Sequence, residues 1–229
     1  MATHRYIPLL GKRIRVTVVD QCGALPTAGT SDAVVATDGF ISINLSAEVE
    51  EGAEILVKKA SGALCVNEKR SDSFKRFNVE IEFCGVHPAL LSLVSNAEPY
   101  EDHSGDLAGF TVPEGEMTKA FALELWTGLS GQVCQPGAEE ASGYGLLPFI
   151  QSGVLGDITI DGENAVTFSL TGAYTKGGNQ WGVGPSDVLM DETDAPAPLP
   201  TALDPYDHLL FMDTALAPPP DSSEFVPMT

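Results

Sequence analysis

Apolar and polar residues alternate with a period of two through most of the first 175 residues, the pattern of strands that bury one face. The cleanest run spans residues 76–83, where Phe77, Val79, Ile81 and Phe83 point one way and Arg76, Asn78, Glu80 and Glu82 the other. Ile14, Val16 and Val18 alternate in the same manner, as do Ile41, Ile43, Leu45 and Ala47, then Phe121, Leu123 and Leu125, then Val166, Phe168 and Leu170. Two runs, 53–59 and 62–67, flank Ala60-Ser61 and suggest a hairpin. Asp161-Gly162, a pair suited to a turn with positive φ at both centres, joins 158–160 to 165–171 as a second hairpin. One helix is expected from Pro88, which fits a first helical position, through the apolar stripe of Leu90, Leu91, Leu93 and Val94. The stretch Asn96-Ala97-Glu98-Pro99 ends it, and so short a helix needs a sheet to pack on.

Long polar or Gly/Pro-marked segments at 27–39 and 98–115 read as loops that reach outside a compact domain. Residues 183–229 hold nine of the sixteen prolines and read as an extended acidic arm, either an ordered strap or an external decoration, with an apolar patch at His208-Leu209-Leu210-Phe211-Met212. The expected fold is therefore mainly β: two packed antiparallel sheets, as a sandwich or barrel, with one short flanking helix and extended terminal arms. The expected divisions are an N-terminal arm at 1–12, a β domain at 13–182 and the C-terminal arm at 183–229.

With 229 residues, 43% of them hydrophobic, the chain supports a substantial core, and its 23 glycines and 16 prolines favour turns over long helices. Apolar runs are too short for a transmembrane helix, and the first ten residues lack the pattern of a signal peptide, so a reducing compartment is expected. Cys22, Cys65, Cys84 and Cys134 are widely spaced and read as reduced, mostly buried thiols.

Charge changes the picture more. Residues 1–76 carry ten basic and nine acidic residues, near +1, whereas residues 77–229 carry two basic and 23 acidic, near −21. Such polarity repels polyanions from one surface and lets copies of the chain meet, basic part against acidic part. The basic residues expected to make contacts between copies are Arg13, Arg15, Lys58, Lys59, Lys69 and Arg70. A basic nucleic-acid groove is excluded by the same balance.

Catalytic chemistry is thin. His4, His87, His103 and His208 are scattered, and no nucleophile, phosphate-loop, metalloprotease or dinucleotide motif occurs. The acidic stretch 98–106 offers hard oxygen ligands, but out of calcium-loop order, and reads as a solvated loop. Glu80 and Glu82 share a strand face, which reads as a wetted sheet face in preference to a pair of acid–base carboxylates. Asn44-Leu45-Ser46 matches a glycosylation acceptor but lies mid-strand. The expectation is no enzyme, no cofactor, no metal and no small-molecule substrate.

Three segments carry a resemblance: Leu9-Leu10-Gly11-Lys12-Arg13-Ile14-Arg15-Val16, the helix after Cys84-Gly85-Val86-His87-Pro88, and Asp204-Pro205-Tyr206-Asp207-His208-Leu209-Leu210-Phe211. In these and in layout the chain resembles the major tail (tail tube) proteins of long-tailed actinobacterial bacteriophages. The resemblance implies hexameric rings stacked head to tail, with strands of each subunit joining a continuous barrel around a lumen for genomic DNA. It implies a long loop between rings, either 27–39 or the strand pair within 53–67. It also implies as partners further copies of the chain, a tape measure protein and other tail proteins, with no membrane, in the virion and before assembly in the host cytoplasm.

Duplex DNA carries about one negative charge per 1.7 Å of axis, so an acidic wall repels it where a basic one would hold it. The repulsion acts over a Debye length of about 8 Å at physiological salt. Glu80 and Glu82 are the candidates for lining that lumen. The alternatives are another virion protein (a head decoration or tail terminator) or a carbohydrate-binding β-sandwich, which would usually display exposed aromatics.

Overall fold

The structure, a computed structural model, describes residues 8–84, 87–129, 142–158, 166–222 and 225–228. The strands are β1 (Pro8–Val19), β2 (Val34–Thr37), β3 (Phe40–Glu50), β4 (Glu54–Lys58), β5 (Leu64–Lys69) and β6 (Ser73–Phe83), followed by helix α1 (Pro88–Val94). Then come β7 (Glu98–Glu101), β8 (Leu107–Thr111), β9 (Ala120–Leu129), β10 (Ser142–Gln151), β11 (Val154–Leu155), β12 (Phe168–Thr175), β13 (Leu189–Met190), β14 (Pro196–Ala197) and β15 (Leu210–Thr214). The protein is mainly β, with one short helix among the described residues.

Nine strands form one antiparallel sheet whose main path runs β2-β1-β9-β10-β12-β6-β3. It makes two layers by turning a corner. β10 and β12 pair only at Ile150↔Thr175 and Gln151↔Tyr174, so the halves diverge there and face each other. Between them lies the main core. Ile14, Val16, Phe121, Leu123, Leu147 and Ile150 of one half pack with Val79, Ile81, Phe83 and Leu170 of the other, and Leu90, Leu93 and Val94 of α1 close the cluster. Burying each large apolar side chain contributes about 1.5–3 kcal/mol, which is why the period-two residues dictate this arrangement.

Of the two forms open to the C-terminal segment, the ordered one is found: it is part of the fold. The outer face of β1, β9 and β10 presents Val19, Ala122, Trp126, Tyr144, Leu146 and Phe149. Trp181, Val188 and Leu199, with Leu203, Leu210 and Met212, cover that face as a second core. β15 pairs along β10 from Ser142↔Thr214 to Leu146↔Leu210. Gly145 makes this approach possible, because a Cβ there would lie 2.6 Å from the Phe211 ring. The side chain of Asn179 fastens the preceding turn, its amide donating to the carbonyls of Asp204 and Pro205 at 3.0 Å. His208 docks with Nδ1 2.7 Å from Thr175 Oγ1, and burial holds its imidazole below the ordinary pKa, against an opposing pull from Asp207.

The last described residues strap the edge of β2. Val226 N donates to Val34 O at 2.8 Å, Ser222 N to Ala36 O at 2.9 Å, and Met228 N to Thr30 O at 3.0 Å. Residues 27–39 are therefore not a free loop. They contain β2, and Ala33, Val35 and Ala36 are buried. Residues 98–115 likewise form a hairpin, β7 with β8, instead of an irregular loop. The expected helix is present, and so is the hairpin around Ala60-Ser61. The Asp161-Gly162 turn lies outside the described residues, although β11 and β12, which flank it, pair antiparallel through Val154↔Thr171. The described thiols Cys22, Cys65 and Cys84 are free and exposed, not buried as expected; Cys134 lies outside the described residues.

One turn design occurs four times, at 20–24, 59–63, 102–106 and 191–195. In each, the first residue donates its N–H to the fifth residue's carbonyl, and the fourth donates to the first. The fourth residue has positive φ: Gly23 at 80°, Gly62 at 83°, Gly105 at 88° and Asp194 at 61°. Asp194 is the one that bears a Cβ, which crowds the left-handed region. Asp194→Gly is expected to stabilise the fold by about 0.5–1 kcal/mol, a rise of about 2 °C in Tm, and Asp194→Val to lower it by more. Thermal melts of the two variants check this; equal melting temperatures would remove the strain account.

Candidate functional site

The outer face of the β3-β6-β12 layer is polar because the residues alternating with its core side chains are Ser, Asn, Glu and Thr. The register sets them in rows. Ser42 and Ser169 flank Glu82, Asn44 lies beside Glu80, and Ser46 and Tyr174 flank Asn78. Glu80 is exposed and Glu82 half-buried, and the Asn44 amide lies 3.5 Å from Glu80. Neither carboxylate has a cation partner among the described residues. At one end of the face Glu48 is matched instead: Lys75 Nζ at 2.8 Å and Arg76 Nε at 2.6 Å hold its carboxyl below the ordinary range. Arg76 also lies over the Tyr174 ring, 4.4 Å from its centroid. The middle of the face is thus acidic, and the charge-neutralised end leads into the β4–β5 hairpin.

β3 is the last strand on the main path of the sheet, and among the described residues no strand pairs with its far edge. An eleven-residue edge strand presents a row of backbone donors and acceptors to any chain that can align with it. The opposite margin, at β2, is already covered by the C-terminal strap.

Beyond β3 and β6 the ribbon continues as β4 and β5, and every residue of both strands is exposed. Ile55, Val57 and Val66 fall on one side of the hairpin by cross-strand register, with Leu56, Lys58 and Leu64 on the other. Among the described residues, the apolar side chains on both faces of this two-stranded ribbon stay exposed. Val49 and Phe74, at the base of the ribbon, are half exposed too.

The structure divides the six basic residues expected at contacts between copies. Lys58, Lys59, Lys69 and Arg70 all lie on or beside the projecting hairpin, where Lys69 is 3.6 Å from Asp72. Arg13 and Arg15 do not belong with them. Arg13 is used within the chain, 2.7 Å from Asp221 and 3.6 Å from Asp38. Arg15 grips the Glu124 carboxylate through Nε and Nη2, both at 2.6 Å, beneath the C-terminal segment. Burial would depress the Arg15 pKa, but the charge and hydrogen bonds of Glu124 outweigh it and leave a net rise. Tyr144 donates to the same carboxylate at 2.8 Å, and burial with the Glu124 charge pushes its hydroxyl well above the ordinary value.

No metal-binding cluster of three or more His, Cys, Asp or Glu residues occurs among the described residues. In the acidic 98–106 stretch, Asp102 turns its carboxylate onto the N–H groups of Ser104 at 2.7 Å and Asp106 at 3.1 Å. No described helix is long and apolar enough to cross a membrane. Trp126 and Trp181 are both buried, so neither forms an exposed stacking platform for sugar rings. No family model matches the chain, and no curated protein matches it significantly.

Proposed function

We propose that this chain is a self-assembling structural subunit of a phage-type tail tube, forming stacked rings whose acidic lumen conducts duplex DNA. The observation that carries the reading is the β3–β6 ribbon. It combines an eleven-residue edge that no described strand pairs with, a polar outer face bearing Glu80 and Glu82, and a projecting hairpin exposed on both sides. An edge strand invites lateral joining of copies into a ring. A protruding hairpin fits head-to-tail contacts, which extend without closing. Of the two segments that might join rings, the hairpin suits the role better, since 27–39 is built into the sheet.

Glu80 and Glu82 then face the lumen, with serine and asparagine hydroxyls and amides around them to present a wetted, non-adhesive wall to DNA. Lys58, Lys59, Lys69 and Arg70 serve contacts between copies, while tape measure and other tail proteins are the partners at the tube's interior and ends. No catalytic step is assigned.

Negative-stain electron microscopy across a concentration and salt series tests the reading. Hollow tubes or stacked rings with a pore wide enough for duplex DNA are expected. Particles that stay monomeric or trimeric, even with seed tails added, would turn the assignment toward a decoration or glycan-binding module.

A further inference from the structure

Three of the four repeated turns carry an aspartate at the first position, and its carboxylate fills one fixed place. Asp20 Oδ1 accepts the N–H of Cys22 and of Ala24 at 2.8 Å. Asp102 Oδ1 accepts Ser104 at 2.7 Å and Asp106 at 3.1 Å, and Asp191 Oδ1 accepts Thr193 at 2.7 Å and Ala195 at 3.0 Å. The fourth turn, at the tip of the β4–β5 hairpin, has the same backbone: Lys59 N donates to Ala63 O at 2.8 Å and Gly62 N to Lys59 O at 2.9 Å. There the first position is lysine. Among the described residues the corresponding donors, the N–H groups of Ser61 and Ala63, have no acceptor, and Lys58 and Lys59 form no ion pair.

We propose that the β4–β5 tip is a carboxylate-receiving site, filled by an aspartate or glutamate of a second copy of this chain. The incoming carboxylate takes the place that Asp20, Asp102 and Asp191 occupy in their own turns, accepting Ser61 N–H and Ala63 N–H while Lys58 and Lys59 neutralise it. Converging backbone N–H groups in a turn are an established anion-binding device, and charge-assisted hydrogen bonds are the stronger kind. A second copy suits the site for two reasons. Residues 77–229 supply 23 acids against two bases. The flanks of the tip are apolar as well, and Leu56, Val57, Leu64 and Val66 favour burial against protein over a solvated phosphate backbone. The site deepens the assembly reading and rests on it for its geometry.

Lys59→Asp is the discriminating variant, because it caps the turn from within. It is expected to keep or raise Tm while removing the docking site. A merely structural turn would gain from it and lose nothing. Full-length wild type, mixed as light and isotope-labelled copies, is treated with a zero-length carbodiimide and mapped by mass spectrometry, alongside electron microscopy of the same sample. Links between Lys58 or Lys59 of one copy and an acid of another are expected, falling about tenfold or more in Lys59→Asp.

Tubes without tip links would overturn the site and leave the tube reading standing. Tip links without tubes would sustain the site and sink the tube. Neither would remove both. Binding of a labelled DNA duplex that Lys59→Asp abolishes, without links between copies, would assign the tip to phosphate and overturn the carboxylate.

Discussion

Glu124→Ala is expected to be among the most destabilising single substitutions in this protein, costing about 3–5 kcal/mol. The side chain is 1% exposed and answers two groups at once, the largely buried Arg15 guanidinium and the buried Tyr144 hydroxyl. Removing it strands a charge that has lost most of its water. The whole fold rests on roughly 5–15 kcal/mol, so the variant should melt about 10 °C lower or fail to accumulate. Three companions separate the causes. Tyr144→Phe deletes one donor and leaves the ion pair, at a cost of about 1 kcal/mol. Arg15→Ala also loses the packing of the guanidinium on Trp126, whose ring centroid is 5.1 Å away. The double variant Arg15→Met, Glu124→Leu removes both charges together and should recover part of the loss, while the buried Tyr144 hydroxyl, left without its acceptor, retains about 1–3 kcal/mol of it. Urea titrations read all four. A Glu124→Ala variant within 1 kcal/mol of wild type, or a double variant as weak as the single one, would show that the triad is not balanced as described.

The same triad shows where the sequence stops being legible. Arg15 alternates with Ile14 and Val16, so period two places it correctly on the opposite face of β1. Period two does not say whether that face meets water. Its fate is decided some 170–200 residues later, by a segment whose prolines and short apolar patches read as an arm. The one local signal was Glu124 itself, an acid amid Phe121, Leu123, Leu125 and Trp126, paired in register with Arg15. β10 was missed for a related reason. It is buried on both faces, so Gly143-Tyr144-Gly145-Leu146-Leu147 shows no alternation, and Pro148 interrupts it where the register with β9 shifts.

By contrast, β6, α1 and the β4–β5 hairpin were legible, since each is governed by contacts close in sequence or by one buried face. Glu80 and Glu82 share a face because strand geometry guarantees it. The hairpin cations cluster because the hairpin does. That Arg13 and Arg15 leave this set follows from long-range partners, Asp221 and Glu124, which no local pattern announces.

Ending the chain at residue 182 is expected to abolish folding, whereas ending it at residue 217 should not. The longer deletion removes Val188, Leu199, Leu203, Leu210 and Met212 from the second core. At about 1.5–3 kcal/mol for each large side chain, their loss matches the stability of a whole domain. It also leaves β10 without its β15 partner along 142–146, an open edge beside exposed Tyr144, Leu146 and Phe149, which favours aggregation. The shorter deletion keeps β15 and removes the strap over β2, with the Asp221 partner of Arg13. Its product should be soluble, with native near-ultraviolet circular dichroism from the two buried tryptophans and a lower Tm. A decorative arm predicts the reverse for the first variant: a monomeric 1–182 fragment melting like the full chain would show that residues 183–229 are dispensable cover. The distinction bears on assembly. If the second core forms within one subunit, amides of β15 are protected from exchange in the free protein, and under the proposed function a finished β1-β9-β10 layer would enter the ring. Among the described residues, what the proposed assembly would then have left to satisfy is the β3 edge and the hairpin beyond it.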